Sequence, residues 1–238
     1  MSFREERSDW RRAGVPGLVL LAVVALMRPL EARLAPERAG RPALGSGLAV
    51  IGGFRAVVAG GCWLRANLAW ERRDAVATRA LLELTVRADG RPLYFWLNGA
   101  RMLAHDVPEW GLDTGAPAAV RERVKREHAE IALAWLDEAE REHGRSAALL
   151  IEKANIRLRA LGDREGAARL FRMAAEQPGA PWHAARIHGE LLRTLGRPAA
   201  ALAWLRQILP GLPADDPAAQ REVVEQRIRE LERELGGG

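Results

Sequence analysis

Residues 149–178 read LLIEKANIRLRALGDREGAARLFRMAAEQP, and residues 183–212 read HAARIHGELLRTLGRPAAALAWLRQILPGL. Set against one another, Leu158 falls on Leu192, Leu161 on Leu195, Gly162 on Gly196, Ala167 on Ala201 and Phe171 on Leu205, each pair 34 residues apart. Self-similarity at a fixed period of this length marks a chain built from one repeated supersecondary unit. The unit is a helical hairpin, because its apolar residues recur at three- and four-residue spacing. Gly162 and Gly196 end the first helices by taking positive φ. Asp163 caps the helix that follows, and Pro198 takes the first turn of its counterpart. Ala167, Ala201 and Gly189 are small enough for helix backbones to approach closely, while Phe171 and Leu205 fill the space between units.

Working outward, Ala-Leu-Ala-Trp-Leu at 132–136 recurs at 201–205. This predicts a further hairpin, with a first helix from Leu93 to Ala104 containing Trp96-Leu97-Asn98-Gly99. An insertion from Asp106 to Ala116 follows, then a long second helix from Pro117 to His143. A weaker copy begins near Leu48, with helices over 48–71 and 75–88, Asp74 as cap and Pro92 as closing proline. Downstream, residues 217–235 read as a last helix opened by Asp216 and Pro217. Val224, Ile228, Leu231 and Leu235 share one of its faces, and Glu and Arg fill the others. A stack of repeats exposes its final apolar face, and a helix with one polar side covers it. The expected architecture is an all-α solenoid, an α-α superhelix of about four hairpins, at 48–92, 93–145, 146–179 and 180–213 within 48–215. A capping helix over 216–238 ends it. Composition agrees. Ala, Leu, Arg and Glu are good helix formers, and 48% hydrophobic with 28% charged residues excludes disorder along the whole chain.

The segment Ala167-x3-Phe171-x2-Ala174, Gly189 in the first helix, and Gly179 and Pro213 at the closing position resemble the tetratricopeptide repeat family. Phe54-Arg55, Trp63-Leu64-Arg65-Ala66 and Pro92-Leu93-Tyr94-Phe95-Trp96 resemble bacterial tetratricopeptide proteins anchored to a membrane at the N-terminus. The resemblance implies a short anchor, a repeat body that binds protein, and no chemistry. Stacked helix pairs curve, with first helices on the concave side. The partner-binding groove is therefore expected to present Glu152, Ile156 and Arg159, then His183, Arg186, Glu190 and Arg193. The arginines can fork onto a carboxylate or phosphate. Tetratricopeptide chaperone adaptors hold a terminal carboxylate with Lys and Asn at set positions. Glu152 and Ile156 occupy those positions here, which points away from that ligand.

Ala13 to Met27 is an uncharged run, AGVPGLVLLAVVALM, preceded by Arg4, Arg7, Arg11 and Arg12 and closed by Arg28-Pro29. It is shorter than the ~20 residues of a full span, and no small-residue cleavage site follows it. An uncleaved signal-anchor over 1–29, extended by Trp10, Leu30 and snorkelling arginines, is the expectation. Residues 30–47, with Pro36, Gly40, Pro42, Gly45 and Gly47, read as a linker. Together with the resemblance to bacterial anchored proteins, this implies a single-pass protein of the bacterial inner membrane. Arginines on both sides of the run give no vote on orientation; an anchor this close to the N-terminus leads to the expectation of a body outside the cytoplasm, serving the assembly of an envelope complex. A second membrane segment over 43–64 is disfavoured by Arg55 near its centre, at ~2.5–3.5 kcal/mol.

Net charge is +5 with a pI of about 10.4, almost entirely from arginine. Mixed signs along the helices read as solvated surface, and a nucleic-acid-binding repeat is the alternative that the charge leaves open. The sequence has neither G-x-x-x-x-G-K nor G-x-G-x-x-G, and Gly52, Gly53, Gly60 and Gly61 read as close packing or a kink. His105, His128, His143, His183 and His188 form no H-x3-H pair, so no metal is expected. Asp137-Glu138-Ala139-Glu140 is a solvated acidic stretch, and Ser8, Ser46 and Ser146 lack a nucleophile context. No cofactor and no catalysis are expected. Cys62 reads as a small core residue. Trp63, Trp70, Trp96, Trp135 and Trp204 fall at core spacings, while Trp110 and Trp182 are either ordinarily packed or exposed anchors for a partner.

Overall fold

The structure is a computed structural model that describes residues 45–112 and 115–236, with side chains from residue 53. The chain divides into two units, Met1–Gly52 and Gly53–Gly238. The anchor expected over 1–29 lies outside the described residues, as does the linker except for its last three positions. Those three are helical, since the first described helix, α1, spans Gly45–Glu71.

Local signals set the helix ends. Arg73 takes a positive φ after α1, and Asp74 accepts the Ala77 N–H to open α2, Ala75–Ala88. The next helix starts behind Pro92 as α3, Leu93–Arg101, and passes through a π-turn, Met102–Asp106, into α4, Val107–Trp110. It thus runs beyond Ala104, and the expected insertion from Asp106 shrinks to the link after Trp110. The sequence suggests an earlier break because Asp106-Val107-Pro108 reads as a stop. A π-turn pairs residues five apart, and here Val107 donates to the Met102 carbonyl. Pro108 therefore enters at the second position of α4 without ending the helix. Half-buried His128, on the facing helix, lines one small cavity together with Leu103 of this turn.

Five further helices follow: α5, Ala118–His143; α6, Ala147–Arg159; α7, Arg164–Ala175; α8, Trp182–Thr194; and α9, Pro198–Ile208. Ser146 and Asp163 cap α6 and α7 by accepting from Leu149 and Gly166. Gly162 and Gly196 take φ of 64° and 72°, which lets each chain turn straight into its partner helix. The last helix, α10, spans Arg221–Gly236 and not 217–235. Asp216 caps a turn instead, its carboxylate accepting from the Ala218 N–H and from Trp182 Nε1. The Gln220 φ of 48° re-aims the chain before α10 begins. Val224, Ile228 and Leu231 are buried as expected, but Leu235, one turn further on, is 41% exposed.

Three apolar clusters hold the stack together. Leu82, Trp96, Leu103, Trp135 and Leu136 centre the first. Leu150, Ala167, Phe171, Ala174 and Leu191 centre the second. Leu205, Leu212, Val224 and Leu231 centre the third. The shared helices join them. Leu149 and Ile156 of α6 enter the first cluster while Leu150 and Ala154 enter the second. Ala184 and Leu191 of α8 enter the second while Ala185 enters the third. Each hairpin therefore buries its apolar faces against its sequence neighbours, which is how a solenoid is stabilised. The repeated Ala-Leu-Ala-Trp-Leu does the same work twice. Trp135 packs over Gly99 and donates to the Trp96 carbonyl at 2.9 Å. Trp204 borders Gly189 and donates to the Ala185 carbonyl at 2.8 Å.

Candidate functional site

Two first helices, from neighbouring hairpins, wall an open groove of about 350 Å³. Arg101 ends α3, His105 and Asp106 come from the π-turn, and Glu152, Asn155 and Arg159 come from α6. Glu152 is only 3% exposed. One of its carboxylate oxygens accepts from Arg101 Nη2 at 2.7 Å and from Arg101 Nε at 2.9 Å. That hydrogen bond raises the Arg101 pKa, and the two bonds from one guanidinium fix the pair on the groove floor. Asp106 is occupied too, accepting from Trp70 Nε1 at 2.8 Å. The side chains of His105, Asn155 and Arg159 have no hydrogen-bond or ion-pair partner among the described residues. The groove thus presents an exposed guanidinium, an amide and an imidazole beside a neutralised charge pair, a set suited to carboxylate and peptide-amide groups.

The residues expected to line a single groove are dispersed. Glu152 and Arg159 do line it. Ile156 does not: it is 0% exposed and sits in the first core cluster with Leu149 and Trp135. The stripe facing the groove runs 152, 155, 159, and Ile156 lies one residue round the helix, turned to the preceding hairpin. His183 is exposed at the start of α8, away from the groove. Arg186, Glu190 and Arg193 belong to the seam between α8 and α10. Arg186 Nη1 donates to the Gln220 side chain, and burial lowers its pKa. Glu190 pairs with Arg193 and, across the seam, with Arg227 Nε at 3.4 Å. The Arg193 hydrogen bond holds the Glu190 carboxyl below the usual carboxylate range. Arg101, His105, Asp106 and Asn155 went unanticipated. For Arg101 and His105 the signal was their four-residue spacing on a largely apolar helix.

Trp110 and Trp182, weighed as exposed anchors against ordinary packing, are half-buried and engaged, as ordinary packing has it. Trp110 meets Trp70 edge-on at 6.5 Å, and Trp182 is hydrogen-bonded to Asp216. Of the five tryptophans expected in the core, Trp96, Trp135 and Trp204 are buried, Trp63 is half-buried, and Trp70 is exposed at 36%, its ring reaching Asp106 and Trp110. His188 is 6% exposed, with Nδ1 2.8 Å from the Ala168 carbonyl and its ring edge-on to Trp204. Among the described residues no group of three or more His, Cys, Asp or Glu is placed to hold a metal ion. Among them, too, no helix is long and apolar enough to cross a membrane.

Helical hairpins that repeat at 34 residues and share cores in chain order make this a helical-repeat protein of tetratricopeptide-like fold. No family model matches the chain, and no curated protein matches it. Among solved structures it is similar to a thermophilic tetratricopeptide protein of Thermus thermophilus, TTC0263. The two are 18% identical with a TM-score of 0.36, over 73% of this chain and 98% of that one. The fold class stands on the hairpins themselves.

Proposed function

We propose that the chain is a membrane-tethered scaffold that binds a protein or peptide partner in the groove between α3 and α6, without catalysis. The observation that carries this reading is the set Arg159, Asn155 and His105, left free beside the fixed Arg101–Glu152 pair. A peptide strand bearing an acidic side chain would place its carboxylate on Arg159 and a backbone amide on Asn155. The tether rests on the uncharged run Ala13–Met27. With it go inner-membrane localisation, a body outside the cytoplasm, and a part in assembling an envelope complex.

The test is capture of partners by the detergent-solubilised full chain, read by mass spectrometry, beside Arg159→Glu. The reading expects a partner held by the parent chain and lost from the variant, with thermal stability unchanged because Arg159 is exposed and unpaired. Capture indifferent to Arg159→Glu removes the groove from the proposal, and recovery of the full chain in the cytosol after fractionation removes the tether. The nucleic-acid alternative has less behind it. Arg101, Arg157, Arg172, Arg197, Arg206 and Arg227 are each engaged with a carboxylate. The rings of Trp96, Trp135 and Trp204 are buried and not available for stacking on bases.

A further inference from the structure

The first repeat helix has two apolar sides, and the repeats use one of them. Ala59, Ala66 and Ala69 of α1 are buried, and half-buried Trp63 packs against Tyr94 and Phe95 of α3. On the opposite side stand Phe54, Val57, Val58, Leu64 and Leu68, all exposed, Leu64 to 67%. Their spacing of three, four, ten and fourteen residues from Phe54 puts them along a single helical face. The glycines expected to allow close packing do not serve that purpose here. A Cβ at Gly53, Gly60 or Gly61 would meet nothing within 4 Å. A contiguous apolar face of this length on the outside of a fold marks an interaction site.

Charge decides what covers it. Exposed Arg65 falls on the same helical face, where its long stem can carry the guanidinium out to the headgroups, and exposed Arg72 and Arg73 follow at the end of the helix. None of these guanidinium groups has an ion-pair partner among the described residues. Glu71 is the one acid between Gly53 and Arg73, and Asp74 is occupied in capping α2. Two copies of this face set together, in either sense, would offer their arginines one acid per copy, Glu71. An anionic bilayer supplies both complements at once, an acyl boundary for the stripe and phosphates for the arginines.

We infer that the outward face of α1, from Phe54 to Arg73, lies on an anionic lipid surface. Phe54, Val57, Val58, Leu64 and Leu68 enter the headgroup–acyl boundary, with Arg65, Arg72 and Arg73 among the phosphates. This extends the tether reading given above, and it would hold the first hairpin flat against the membrane while the groove between α3 and α6 stays open to a partner.

The experiment uses the full chain in a Cys62→Ser background, with single cysteines at Val57, Leu64, Leu68 and, as reference, the exposed Val223 of α10. Each carries an environment-sensitive dye, and the far-UV spectrum confirms that each variant folds. The proteins are reconstituted with vesicles of phosphatidylcholine and phosphatidylglycerol, with and without brominated acyl chains. Blue-shifted emission, quenched by brominated lipid at the three α1 positions and unchanged at position 223, is expected. Replacing Arg65, Arg72 and Arg73 with Gln should weaken that response. Dyes on α1 that stay in water while the chain co-sediments with vesicles overturn the inference and leave the leader as the tether. Failure to co-sediment overturns both. A blue shift without lipid that grows with protein concentration assigns the face to a second copy and overturns the lipid contact.

Discussion

Replacing Gly189 with Ala tests the close approach on which the last hairpin is built. A Cβ at position 189 would stand 2.7 Å from Leu205 Cδ2, 3.2 Å from Leu205 Cγ and 3.4 Å from Trp204 Cδ1. Leu205 is buried in the third cluster, and the Trp204 ring is held by its bond to the Ala185 carbonyl, which limits how far either side chain shifts. Two effects then oppose each other. Ala is favoured over Gly inside a helix by about 0.8–1 kcal/mol. Forcing an extra carbon into a packed core costs typically ~1–3 kcal/mol. Overpacking wins, for a net loss of about 1 kcal/mol and a Tm lowered by roughly 2–4 °C for a chain of this size. Gly60→Ala in α1 is the control. Nothing lies within 4 Å of its Cβ position, so helix propensity acts alone and Tm should rise. The assay is thermal unfolding of the full chain in detergent, followed by far-UV circular dichroism. If Gly189→Ala raises Tm as Gly60→Ala does, α8 and α9 do not meet at Gly189 and the small-residue argument fails.

Trp135→Phe and Trp204→Phe should each destabilise by about 1–3 kcal/mol in urea unfolding, since each leaves a buried helix carbonyl without its indole donor. A large effect at one site alone would show that the two copies of the motif are not equivalent. Asp163→Ala removes the cap on α7 and the Arg157 partner, and should cost about 1 kcal/mol; no change in unfolding midpoint would count against the cap. Stability should also depend on pH through the histidines. Burial holds the pKa of both His128 and His188 below the ordinary imidazole value. The unfolded chain takes up protons at about pH 6.5 while the folded one resists them. Their contribution is therefore full above about pH 6.5 and lost as the pH falls through the folded values. The fall in Tm between neutral and mildly acidic buffer should be shallower in His188→Asn than in the parent chain, and an unchanged slope would refute the assignment.

The helices could be read in the sequence because their ends are written in one or two residues each. Asp74, Asp163, Gly162, Gly196 and Pro198 each act within a turn of their own position, and the structure uses each where it was expected. The groove is a different kind of object. Whether Asn155 or Ile156 faces it depends on which of two adjacent stripes of α6 the preceding hairpin covers, and no residue of α6 states that. The preceding hairpin is itself altered by the π-turn at Met102–Asp106. One extra residue in a helical turn rotates the face downstream by about 100°. That rotation moves with His105 and Asp106, the residues that wall the groove opposite α6. The only local mark of the turn is Pro108, which reads more readily as a helix stop. The same reasoning accounts for Arg186, Glu190 and Arg193. Their position within the repeat marks them as free, but Gln220 engages Arg186, and Arg227 of α10 engages Glu190, which in turn holds Arg193. In a solenoid the hairpin is a property of its own sequence, whereas a binding face is a property of two consecutive hairpins. Repeat signatures therefore locate the helices well and the ligand-facing residues poorly.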